Sequence, residues 1–153
     1  NLNIVLIISW ERKMKKYFIA LALVLSVGAN SFEVSGDHFE GKFKIDSMTV
    51  GENEVTVNAS SASADTGQYG KVYVSYTFTQ NPYIPGSGTW KGHGRGMSPD
   101  GNLQSGILMG VWKRDGSVFH MKSVDSVTDG INYAEGTMDV LTGDINIDVY
   151  AVK

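Results

Sequence analysis

The sequence predicts an all-β domain of about eight antiparallel strands, joined as a meander and closed into a barrel, behind an N-terminal signal segment. Three observations predict it. Polarity alternates with a period of two almost everywhere beyond Ser31, and no stretch there holds the i, i+3, i+4, i+7 spacing of an amphipathic helix. Asp-Gly and related turns fall at near-equal intervals, so neighbouring strands must run antiparallel. A two-sheet β-sandwich would use the same strands and turns and is the alternative architecture.

The chain opens at Asn1, and "ERKMKKYFIALALVLSVGANSF" contains each part of a secretory signal. Lys13, Lys15 and Lys16 surround Met14 as a basic region, an apolar run extends from Tyr17 to Val27, and Val27 and Ala29 suit cleavage after Ala29, with Ser31 as a second site. The reading places the start of translation at Met14 and assigns 1–31 to upstream read-through plus signal peptide. The apolar run is shorter than the ~20 residues that span a bilayer, which separates it from a membrane anchor.

Residues 32–153 then form a single domain of ordinary length, able to bury roughly two-thirds of its unfolded surface. The segment 1–31 carries Arg12, Lys13, Lys15 and Lys16 against Glu11 alone, so its removal leaves nine basic and fifteen acidic side chains, about −6 in formal charge. That balance argues against nucleic acid and, after cleavage, against an anionic membrane surface as partners. There is no cysteine. An exported domain of this kind holds together by its core, with neither disulfide nor thiolate metal site.

The strands are expected over 42–50, 54–63, 70–80, 87–97, 103–113, 117–127, 131–141 and 144–152. "KVYVSYTFT" sets Val72, Val74, Tyr76 and Phe78 on one face against Tyr73, Ser75 and Thr77 on the other. "EVTVNA" alternates Val55, Val57 and Ala59 with polar residues, and "DINIDVYAV" does the same with Ile145, Ile147 and Val149. In the first strand Phe43 and Ile45 are out of phase with Met48 and Val50, as a bulge near Asp46 and Ser47 would require. Turns close on Gly101, Gly116, Gly130 and Gly143, while "NASSASADTGQYG" and "QNPYIPGSG" are the longer connections.

The stretch "GSGTWKGHGRGMSPDG" bears most on function. A dinucleotide loop needs G-x-G-x-x-G ahead of a helix; here the spacing is G-x-G-x-G, and a proline and an Asp-Gly turn follow. As a strand, Gly88, Trp90, Gly92, Gly94 and Gly96 share one face, with Thr89, Lys91, His93, Arg95 and Met97 on the other. A bare face lets the strand coil sharply and admits bulky residues or a ligand opposite it. Two orientations follow from this. Inward glycines make room inside the barrel, whereas inward Lys91, His93 and Arg95 would line a cavity suited to an anion. The first is favoured, because three unpaired cations are costly to bury.

"GSGTWKGHGRG" resembles the Gly-x-Gly-x-aromatic-x-Gly stretch of the allene oxide cyclase barrel family, whose fold dirigent proteins share. The matching positions are Gly86, Gly88, Trp90 and Gly92, with a structural role. The resemblance implies an eight-stranded antiparallel barrel whose cavity takes hydrophobic or phenolic ligands, and it carries over no catalytic residue. The present chain continues for about four strands beyond this stretch, where the family usually has fewer.

Other constellations point to structure. "DINID" lacks the glycine of a calcium loop, and Asp144, Asn146 and Asp148 read as a solvated stripe. His38, His93 and His120 show no metal-ligand spacing. His120 reads as a hydrogen-bonded structural histidine, or as a general base if it enters a cavity. Asp125, Asp129, Glu135 and Asp139 would serve glycoside hydrolysis only if they converged, and nothing singles them out. There is no G-x-S-x-G elbow and no H-E-x-x-H. Trp90, Trp112, Phe119, Tyr133 and Tyr150 read first as core.

The expectation is therefore an exported barrel, secreted or periplasmic, that binds a small apolar or anionic ligand, or a partner surface, without catalysis or cofactor. Trp90, Arg95, Trp112, His120 and Tyr133 are the candidate cavity residues. An isomerase or cyclase of the barrel family would need His120 or Tyr133 inside the cavity. A small outer-membrane barrel would need an unbroken apolar band on its outer face.

Overall fold

The computed structural model describes residues 34–63, 66 and 69–153; the expected signal segment lies outside the described residues. Eight strands follow in chain order: β1 Val34–Val50, β2 Glu54–Ser61, β3 Lys71–Gln80, β4 Ser87–Met97, β5 Leu103–Asp115, β6 Val118–Val127, β7 Gly130–Asp139 and β8 Asp144–Val152. Each pairs antiparallel with the next, and β8 returns to β1, so the sheet closes into a barrel instead of splitting into a sandwich. Closure removes the exposed edges that an open sheet presents to other chains.

Alternation decides which side chains fill the interior. Val72, Val74, Tyr76 and Phe78 point in from β3, Val55, Val57 and Ala59 from β2, and Ile145 and Ile147 from β8. Between them run tight turns whose glycines take positive φ, +80° at Gly101 and +58° at Gly116, where a side chain would be strained.

The first strand departs from expectation. It begins at Val34, not at residue 42, because "VSGDHFEGKF" interrupts its apolar alternation with Gly36 and Gly41 and so hides a strand that is 17 residues long. Its first part, Val34 to Lys44, pairs with β8, while Phe43 to Val50 pairs with β2. The strand thus serves both sides of the seam. A register shift between Ile45 and Ser47 is the bulge that the phase change required. Side chains across the pair hold it, with Ser60 Oγ donating to Asp46 Oδ1 at 3.1 Å and Asn58 Nδ2 to Ser47 Oγ at 3.0 Å.

The outer wall carries charge on β1 (Lys42, Lys44), β4 (Lys91, Arg95), β6 (Lys122) and β8 (Asp144, Asp148). Among the described residues, large apolar side chains line up outward chiefly on β5, where Leu103, Ile107, Met109 and Val111 are each more than half exposed.

Candidate functional site

The interior differs between the two ends of the barrel. Toward the end of the 51–53, 81–86, 116–117 and 140–143 connections it is filled by rings. Phe78 lies with ring centroids 6.3 Å from Trp90, 6.5 Å from Trp112 and 6.0 Å from Phe119, and Trp90 meets Tyr76 edge-on at 5.2 Å. Separations and tilts of this kind suit the charge distribution of aromatic faces and edges. Val57, Met138 and Ile145 pack against them, each at most 1 % exposed.

The two tryptophans are seated by a reciprocal device. β4 carries Gly88-Thr89-Trp90 and β5 carries Gly110-Val111-Trp112; antiparallel register sets Trp90 against Gly110 and Trp112 against Gly88. Each indole lies over the opposing glycine and donates its Nε1–H to the middle carbonyl of the other triplet, Trp90 to Val111 O at 3.2 Å and Trp112 to Thr89 O at 3.1 Å. Buried indole nitrogens need such partners.

Toward the opposite end the same face is left uncovered at Gly94. A Cβ on Gly92 would fall 2.6 Å from Ser75 O and 3.0 Å from the Tyr76 ring, and one on Gly96 2.6 Å from Tyr69 O, but one on Gly94 would have only ordinary contacts, Val74 Cγ1 at 3.5 Å and Leu108 Cδ1 at 4.0 Å. With Gly94, Gly96, Gly106 and Gly136 in its wall, the barrel opens into a cup of about 120 Å³. Tyr76, Trp90 and Met121 lie at its ring-filled end, and Val74, Leu108 and Val127 make much of its apolar side. Tyr69 stands in the wall on the β2–β3 connection, edge-on to Phe39, its hydroxyl bonded to both carboxylate oxygens of Asp129 at 3.1 and 3.0 Å.

One carboxyl group is buried in this wall. Asp125 is 8 % exposed, faces inward between Leu108 on β5 and Asn132 on β7, and its Oδ1 has no hydrogen-bond partner. Burial pushes its pKa up to about 6, against the opposing pull of the Ser123 hydroxyl and the Met109 backbone amide. Desolvation wins because nothing cationic compensates the ionised form. Tyr76 responds to the same surroundings, its hydroxyl held protonated by burial first and by the Asp125 charge second.

Asp125 therefore binds its proton more tightly folded than unfolded, and its contribution to stability falls as pH rises from about 4 through 6. Asp125→Asn, neutral throughout, should be more stable than the parent at pH 7.5 by roughly 2–3 kcal/mol and nearly equal to it at pH 4. Urea unfolding at the two pH values checks this; a gap that does not narrow on acidification would count against the buried, uncompensated carboxylate.

The residues expected from sequence divide between inside and outside. Trp90 lines the cup, and Trp112 belongs to the ring cluster behind it. Arg95 is exposed on the outer face of β4 with Lys91 and His93, its Nη1 donating to Gly94 O at 2.7 Å, although it also reaches the rim of the cup. Lys91 and His93 therefore stand on the outer wall alone, and of the three only Arg95 reaches the cup. His120 is exposed on the outer face of β6. Tyr133 lies on the outer face of β7, bonded to Glu135 at 2.9 Å, and Glu135 meets Lys122 at 3.1 Å.

Of the four acidic residues only Asp125 turns inward. Glu135 and Asp139 take the outer face of β7, and Asp129 sits in the turn before it. Asp125 was hidden because "VFHMKSVDSV" mixes apolar and polar residues on both faces, so period two alone does not say which face is buried. A second cluster unites His38, Glu40 and Asp148 across β1 and β8, with ligand atoms within 4.8 Å of one another. Its side chains are partly exposed, 41 % at His38, 46 % at Asp148 and 66 % at Glu40, and His38 Nε2 stands 3.9 Å from Glu40 and 3.8 Å from Asp148.

Comparison with protein-family models, curated proteins and solved structures gives no match.

Proposed function

We propose that this chain is an exported binding protein whose barrel holds one small apolar molecule in the cup. The observation that carries the reading is the divided interior, with Gly88 and Gly110 covered by indoles at one end and Gly94 left open at the other, so that apolar walls enclose space where side chains would otherwise meet. A buried apolar cavity of roughly 150 Å³ holds benzene, so a cup of about 120 Å³ is of the size for a single ring or a short alkyl chain. Export is supported by the basic-then-apolar segment that ends near Ala29.

Binding is favoured over the cyclase alternative because His120 and Tyr133, the residues on which that alternative depended, are on the outer wall. The cup is also favoured over the β5 stripe as the functional surface. It is concave and combines apolar walls with one convergent polar group, the usual make-up of a small-molecule site.

Toluene is the simplest probe. It should bind saturably, read as a change in Trp90 emission, and Gly94→Leu should weaken it at least tenfold while leaving thermal stability intact, since the new side chain enters open space. An unsaturable response in the parent, or equal affinity in the variant, would overturn the reading.

A further inference from the structure

Resting on that reading, we propose that the cup selects a small apolar amine, its ring or short chain against the glycine and valine wall and its ammonium group on the Asp125 carboxyl. The cup leaves one of its own groups without a partner. Asp125 is buried in a largely apolar wall, Oδ1 has no donor, and among the described residues no lysine, arginine or histidine forms an ion pair with it. Buried carboxylates are ordinarily paired, and leaving one without a partner is costly. Ser123 and the Met109 amide supply hydrogen bonds but no charge.

The chemistry of the missing partner follows from that deficit. A hydrocarbon would fill the space and desolvate the carboxylate further. An alcohol would satisfy an oxygen and leave the negative charge uncompensated. A carboxylate ligand would be repelled. A protonated amine supplies both a donor and the opposing charge, and a charge-assisted hydrogen bond in a water-poor cup is stronger than a neutral one. The Tyr76 and Trp90 rings beside the same space suit an aromatic or alkyl body attached to that head.

Calorimetric titration at pH 7.5 with benzylamine, benzyl alcohol, toluene and benzoate, each of one-ring size, tests the assignment on the parent and on Asp125→Asn. Benzylamine should bind at least tenfold tighter than toluene or benzyl alcohol, benzoate should bind weakest, and Asp125→Asn should erase the benzylamine advantage and bind toluene at least as tightly as the parent, because no charge is then desolvated. Benzylamine no tighter than toluene or benzyl alcohol, or a preference that survives in Asp125→Asn, would overturn the amine assignment and leave the apolar cup standing. Failure of both toluene and benzylamine to bind would remove the cup reading and this one with it.

Discussion

Gly110→Ala should destabilise the barrel by more than about 3 kcal/mol, although it adds one methyl group. A Cβ at this position would fall 2.0 Å from Lys122 O and 2.9 Å from Trp90 Cε2. The first neighbour is backbone of β6 and cannot rotate away, and the second is an indole already fixed by its bond to Val111 O. Either β6 must separate from β5 or Trp90 must leave the ring cluster, and both losses reach well beyond one residue. Gly94→Ala on the same inner surface has ordinary contacts only and should lie within about 0.5 kcal/mol of the parent. Urea midpoints of the two variants decide the matter. Equal midpoints would mean that the glycine face is a matter of composition and not of close approach.

Phe78→Ala should cost about 3–5 kcal/mol, the range for removing a buried ring. Phe78 is 5 % exposed and lies beside four other rings, Tyr76, Trp90, Trp112 and Phe119. Three of those four come from other strands, so the cavity left behind would be bounded by the rigid sheet and could collapse little. Domains of this size have only ~5–15 kcal/mol of total stability. The variant should therefore show a large fall in urea midpoint and a weakened near-ultraviolet aromatic signal. A loss below about 1 kcal/mol would mean that the rings pack loosely and do not hold the strands together.

Much of the barrel was legible because its strands obey one local rule. In "KVYVSYTFT" and "DINIDVYAV" one face is apolar and the other polar, and the structure buries the expected face in each. The inward direction of Gly88, Trp90, Gly92, Gly94 and Gly96 was also legible, because the opposite face carries two cations and a histidine, and water is the lower-energy place for them. The start of β1 was not, since Gly36 and Gly41 erase the alternation that pairing with β8 imposes. Closure itself has no local signal, because Phe43 and Ile145 are neighbours across a hundred residues.

The site was less legible than the fold. Trp90 could be placed inside, but His120, Tyr133 and Asp125 sit on strands where apolar residues occupy both faces, Val118 and Val124 opposite Phe119 and Met121 on β6 for example. Which face turns inward there is decided by neighbouring strands. Nor does a glycine disclose whether a ring or empty space will stand before it. Gly110 meets Trp90 and Gly94 borders the cup because of register between β4 and β5, which is a property of the pair.

The unequal ends of the barrel separate what the domain must keep from what it is free to change. Exchanges at Gly94 and Val127, which line the hollow outside the core cluster, alter its shape without disturbing the indoles and phenyl groups that tie the strands to one another. The hollow can therefore be reshaped by single steps at positions that the packed core does not use, while Tyr76, Trp90 and Met121, which belong to both, stay fixed.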